Sequence, residues 1–183
     1  MKHLIVLCVL MGLMGCKTVT YNGEVHLQDK TYINLIINGH ATLRKVIVDE
    51  VATFSSSIEA YISQFNIINS VASVECHGCI IKELTAATLI AKQKSEIGNA
   101  QIKNNITLED STIQDVTFSG TEGVFRNSKI KSIRNTGFLH KRVVVLIDSE
   151  VSGDVSFESD DECKVLLKGN SKVLGATRNA KTE

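Results

Sequence analysis

One short phrase recurs along this chain and constrains its fold more than any other feature: Ser or Gly, any residue, then Ile, Val or Ala. It appears as Gly39-His40-Ala41, Ser56-Ser57-Ile58, Gly78-Cys79-Ile80, Ser95-Glu96-Ile97, Ser111-Thr112-Ile113, Ser128-Lys129-Ile130, Ser149-Glu150-Val151 and Ser171-Lys172-Val173. The apolar members fall at 41, 58, 80, 97, 113, 130, 151 and 173, at intervals of 17, 22, 17, 16, 17, 21 and 22 residues. Short alternating stretches surround them. Ile106 and Leu108 point one way, Glu109-Asp110-Ser111 interrupts, and Ile113, Val116 and Phe118 resume the apolar set; Val145–Phe157 repeats this plan. Alternation bounded by Asn, Asp, Ser and Gly marks strands meeting turns.

Strands recurring at a period near 20 predict a solenoid, in which each unit buries its apolar side only by stacking on its neighbours. A coil of 16–22 residues at about 3.3 Å each has a perimeter of roughly 53–73 Å, which suits a three-sided turn with small side chains inside. Eight coils stacked at about 4.8 Å make a rod of roughly 40 Å, with corner Ser and Asn placed to hydrogen-bond along the stack. The expected fold is all-β, a single-stranded right-handed parallel β-helix of about eight short coils; the alternative is an antiparallel β-sandwich or barrel, which shares the strand-and-turn punctuation. The chain has no proline and no tryptophan, and aromatics make up 5%. That composition leaves backbone N–H groups available for ladders throughout and points to a narrow core of Ile, Val and Leu. The best helical candidate is Leu84–Gln93, which holds two threonines and lacks clear caps.

The start of the chain has the layout of a secretory signal: Lys2, an apolar run from Leu4 to Met14, then Gly15 and Cys16. The run is too short to span a bilayer as a helix, which needs about 20 residues. It resembles the signal of a bacterial lipoprotein, with Leu13-Met14-Gly15-Cys16 as the lipobox. The resemblance implies cleavage before Cys16, acylation of its sulfur with palmitate-type chains, and export. An ordinary cleaved signal is the alternative. Lys17, where retained inner-membrane lipoproteins commonly carry Asp, points to the outer membrane of the envelope. Two or more acyl chains anchor stably. The expected division is 1–15 signal peptide, 16–32 lipidated tether and N-terminal cap, 33–176 β-helix and 177–183 tail.

Val151-Ser-Gly-Asp-Val155 and the run Val165-Leu-Leu-Lys-Gly-Asn-Ser-Lys-Val173-Leu-Gly175 resemble the glycine-and-valine rungs of bactofilin-like domains, within the right-handed parallel β-helix proteins. The resemblance covers residues 33–175 and implies the same coil architecture.

Twenty Lys and Arg balance 20 Asp and Glu; removing residues 1–15 removes Lys2 and leaves 19 − 20 = −1. Such a surface has no electrostatic footprint for nucleic acid. Of five cysteines, Cys8 leaves with the signal and Cys16 takes the lipid, so Cys76, Cys79 and Cys163 enter an oxidising compartment. Cys76-His77-Gly78-Cys79 admits four readings: a corner disulfide, thiols packed as small apolar groups, a thioredoxin-type redox centre, and a metal site using His77. Two cysteines three apart in an extended strand lie about 10 Å apart, too far to bridge, so a disulfide requires a turn at Gly78 with positive φ. Haem attachment needs His after the second Cys, where Ile80 stands. Cys163 reads as a lone inward or edge thiol. Asp160-Asp161-Glu162 lacks the ligand spacing of a calcium loop, and His26, His40 and His140 are scattered. Asn105-Ile106-Thr107 matches a glycosylation acceptor by chance. Neither a metal nor a cofactor is expected.

The function these features point to is a membrane-anchored, non-catalytic envelope lipoprotein acting as a structural or interaction module in adhesion or assembly. Its partners would be the membrane, through Cys16, and further copies of itself, through the solenoid ends. One alternative is a β-helix carbohydrate-active enzyme built on Asp110, Asp115, Asp148 and Asp154; the other is a redox protein using Cys76 and Cys79.

Overall fold

A computed structural model describes residues 18–159 and 162–183. Twenty-one short strands run from Thr18 to Thr182, all in one sheet and all paired in parallel. Among the described residues there is no helix: Leu84–Gln93 is divided between the strands Ile80–Ala86 and Thr88–Lys92. Its Thr and Ala positions alternate across a strand, with Leu84, Ala86, Leu89 and Ala91 buried.

Each strand pairs with the strand one coil away, so the chain winds as a parallel β-solenoid. Val25, Ala41, Ile58, Val74, Leu89, Ile106, Gly123, Val144, Val165 and Thr182 form one column of ten successive rungs. At about 4.8 Å per step the column is roughly 43 Å long. Two coils more than expected come from the ends. Residues 18–32, expected as tether and cap, are themselves the strands Thr18–Asn22 and Val25–Tyr32, and Thr177–Arg178 and Lys181–Thr182 belong to the last coil.

Every full coil has three sides. The second side carries Tyr32, Val48, Phe65, Ile81, Ile97, Ile113, Ile130, Val151 and Val173 inward. The third carries Leu35, Ala52, Ile68, Leu84, Ala100, Val116, Ile133 and Val155. The recurring phrase marks two different corners. Ala41 and Ile58 stand on the first side; Ile97, Ile113, Ile130, Val151 and Val173 stand on the second. Ile80 points outward at 46% exposure, and the inward residue of its coil is the next one, Ile81.

The core is narrow, and large and small residues alternate to fill it. Beside Ala60, Cys76 and Ala91 on the first side lie Phe65, Ile81 and Ile97 on the second, all buried. At Gly123 an added Cβ would lie 2.8 Å from Phe118 Cζ and 3.1 Å from Phe125 Cε2. The missing side chain is the space those two rings use. At the N-terminal end Tyr21 and Tyr32 meet edge-to-face at 6.3 Å, their hydroxyls 3.0 Å apart, and both pack on the core.

Candidate functional site

The corner between the first and second sides is built from two columns. In one, the residues Asp29, Lys45, Ile62, Gly78, Lys94, Asp110, Asn127, Asp148 and Gly169 all have positive φ, between 44° and 65°. In the other, one position on, stand Val46, Ser63, Cys79, Ser95, Ser111, Ser128 and Ser149, and Ser171 joins them two positions after Gly169. The left-handed residue turns the backbone out of its ladder. The serine repairs this: its hydroxyl donates to a carbonyl of its own corner and accepts an amide from the preceding coil. Ser111 Oγ donates to the Glu109 carbonyl at 2.8 Å and accepts from Ser95 N at 3.2 Å. The same contact recurs from Val46 N to Ser63, Cys79 N to Ser95, Ser111 N to Ser128, Ser128 N to Ser149 and Ser149 N to Ser171.

Cys79 occupies a serine position in this ladder, and its thiol donates to the carbonyls of Ala60 at 3.2 Å and His77 at 3.7 Å. Cys76 belongs to the inward column Leu43, Ala60, Cys76, Ala91 and Leu108. The Cys-x-x-Cys spacing is thus the distance from the last inward residue of one side to the corner serine. Leu108 to Ser111, Phe125 to Ser128 and Leu146 to Ser149 share it. Gly78, at φ 65°, supplies the turn that brings both sulfurs inward. Both residues carry free thiols at 0% exposure. The Cys76 thiol beside it, with the backbone of Ser63, His77 and Ile62, holds Cys79 below the usual thiol value despite its burial. The Cys79 thiol, with burial, pushes Cys76 well above it.

Outside the same corner four side chains line up coil over coil. The Arg44 guanidinium lies 5.0 Å from the Tyr61 ring centre, and Tyr61 stacks on His77 at 4.7 Å and 12°. Lys92 stands beyond His77, and Glu75 accepts from His77 Nε2 at 3.0 Å and Lys92 Nζ at 3.1 Å. Burial works against the Glu75 charge, but Lys92 and then His77 outweigh it and hold the carboxyl below its ordinary range. His77 Nδ1 is buried without a hydrogen-bond partner. The array clasps four coils. Among the described residues no group of three His, Cys, Asp or Glu could hold a metal ion.

The four aspartates separate onto two corners. Asp110 and Asp148 sit two coils apart in the positive-φ column, with Asn127 between them and donating to Asp110. Asp115 lies beside Ser132 on the other corner, accepting from Ser132 Oγ at 2.5 Å and Lys131 Nζ at 3.0 Å. These two contacts outweigh burial and lower its carboxyl. Asp154 accepts from Ala176 N and pairs with Arg178 at 3.0 Å. Each carboxylate binds the neighbouring coil.

Arg142 is a buried functional candidate with no mark in the repeated phrase. The register step lengthens from 17 to 21 residues between Glu122–Arg126 and Val143–Ile147, and the extra chain forms a loop at 136–142. Arg142 at its end is 1% exposed. It donates to Asn135 Oδ1 at 3.0 Å, to the Gly137 carbonyl, and to Ser159 O at 3.0 Å, tying two successive loops together. A cleft of about 1020 Å³ opens beside it, between Lys141, Glu162, Lys164 and Lys181, with Cys163 2% exposed in its wall. The lengthened interval from 130 to 151 was the available signal. His26 is exposed and 3.6 Å from Glu24. Cys16, Asp160 and Asp161 lie outside the described residues.

No protein-family model matches this chain, and no curated protein or solved structure matches it either. The fold defines its class, a parallel β-solenoid.

Proposed function

We propose that the chain is a lipid-anchored, non-catalytic envelope protein, tethered at Cys16 to the outer membrane, whose bactofilin-like coil serves as a structural or interaction module. The observation that carries this reading is how the outer faces are used. Lys92–Glu75, Lys131–Asp115, Arg134–Glu158, Lys172–Glu150, Arg178–Asp154 and Lys164–Glu183 are ion pairs of 2.8–3.1 Å, each joining one coil to the next. Charges spent on neighbouring coils tie the stack together and stiffen a rod. Each exposed pair is weak on its own, so their value lies in the sum along the stack. The topology adds a direction: the strand Thr18–Asn22 begins two residues after Cys16, and the last strand is the tenth rung of its column. A lipid at Cys16 would hold the rod by its first coil and place the coil of Leu174 furthest from the membrane.

The test is Cys16→Ser. The wild-type chain is expected to take up labelled palmitate and sediment with membranes, and the variant to do neither. A wild-type chain that is unlabelled and soluble would contradict the reading. So would release of reducing ends from a panel of envelope glycans, abolished by Asp115→Asn.

A further inference from the structure

The geometry points to Cys76 and Cys79 as a disulfide-forming pair whose bridge, once made, is sealed inside the coil. Three observations converge. Gly78 at φ 65° places a corner inside the Cys-x-x-Cys segment and turns both side chains inward, which an extended strand cannot do. Both side chains then face the core, and Cys79 Sγ lies 3.2 Å from the carbonyl of Ala60, the residue paired with Cys76 one coil away. Cys76 lies between Ala60 and Ala91 in its column, so small neighbours flank it above and below.

Both residues are 0% exposed, which closes them to a disulfide reagent in the folded coil. The exchange therefore takes place before Thr88–Lys92 stacks on Ser73–His77. The Cys79 thiolate attacks one sulfur of a disulfide-bearing oxidant and expels a thiolate. The Cys76 thiolate, its proton lost to solvent, then attacks Cys79 Sγ and expels the second. Two thiols are oxidised to one disulfide while the oxidant is reduced to two thiols. In cells the oxidant would come from the export compartment, so this part rests on the proposed location; the test supplies its own.

The full chain is reduced in urea, then diluted into a mixture of oxidised and reduced glutathione. Strand content is followed by circular dichroism, and the thiols are trapped by alkylation in denaturant and mapped by peptide mass. The expected product is a refolded chain with Cys76 joined to Cys79, at least tenfold over any pair containing Cys163. Its bridge should survive dithiothreitol at least tenfold longer folded than in urea. The proposal is overturned by a refolded chain with both residues alkylated, by comparable pairing with Cys163, by refolding only under full reduction, or by equal reduction rates in the two states. Because the tube provides the oxidant, failure there leaves the anchoring proposal standing. A pair that bridges in the tube but stays reduced in cells would count against export instead.

Discussion

Nine residues in succession, one per coil, hold the left-handed conformation at the same corner, yet only Gly78 and Gly169 among them are glycine. For L residues that conformation costs roughly 1–2 kcal/mol. The stack supplies it: the amides of Ile62, Lys94 and Asn127 each donate to the next coil, at 2.8 Å. Ile62 is the extreme case, β-branched and 62% exposed. Ile62→Asn should raise the stability by about 1 kcal/mol in urea unfolding, because Asn tolerates the region far better. The neighbouring serines should behave in the opposite way. Ser111→Ala leaves the Ser95 amide unpaired in a buried site and should cost about 1–3 kcal/mol in the same measurement. The serines were legible from sequence because six of the eight positions in the column, Ser63, Ser95, Ser111, Ser128, Ser149 and Ser171, carry the same hydroxyl. The left-handed column was not, since Lys and Ile carry no signature of a conformation imposed by neighbours.

At the level of the strand, side chains are fixed by what the coil above and below contribute. Phe118 is 0% exposed and fills the space left by Gly123; Phe118→Ala should cost about 3–5 kcal/mol by calorimetry or urea titration. Acid should loosen the outer face. Glu75 and Asp115 both have folded pKa values below their ordinary ones. Their contribution is therefore complete above the unfolded values, about 4, and is lost as pH falls through the lower folded values. Urea midpoints measured between pH 6 and pH 3 should decline, and less steeply in Glu75→Gln. Strands and their period are legible in the sequence, but the repeated phrase points to Ile80 where Ile81 faces the core. The phrase Ser/Gly-x-apolar occurs at two corners, and at Cys79 a thiol stands where the pattern sought Ser. Asn135 and Arg142, buried polar residues inside an apolar column and a lengthened loop, have no periodic mark.

As a whole the molecule is a rod of about ten coils with unlike ends. Tyr21 and Tyr32 close the first coil, while the last ends in strands of two residues with Leu174 60% exposed. A strand edge is a template for pairing, so copies should associate through this coil: light scattering of the solubilised chain should show mass rising with concentration. A strict monomer at high concentration would argue against it. The direct test of the tethered rod is energy transfer from a dye at His26→Cys or Leu174→Cys to acceptor lipids in vesicles carrying the acylated chain. Eight coil steps at about 4.8 Å separate these levels by roughly 40 Å. Strong transfer from position 26 and weak transfer from position 174 is the predicted result; equal transfer from both would contradict a rod held by its first coil.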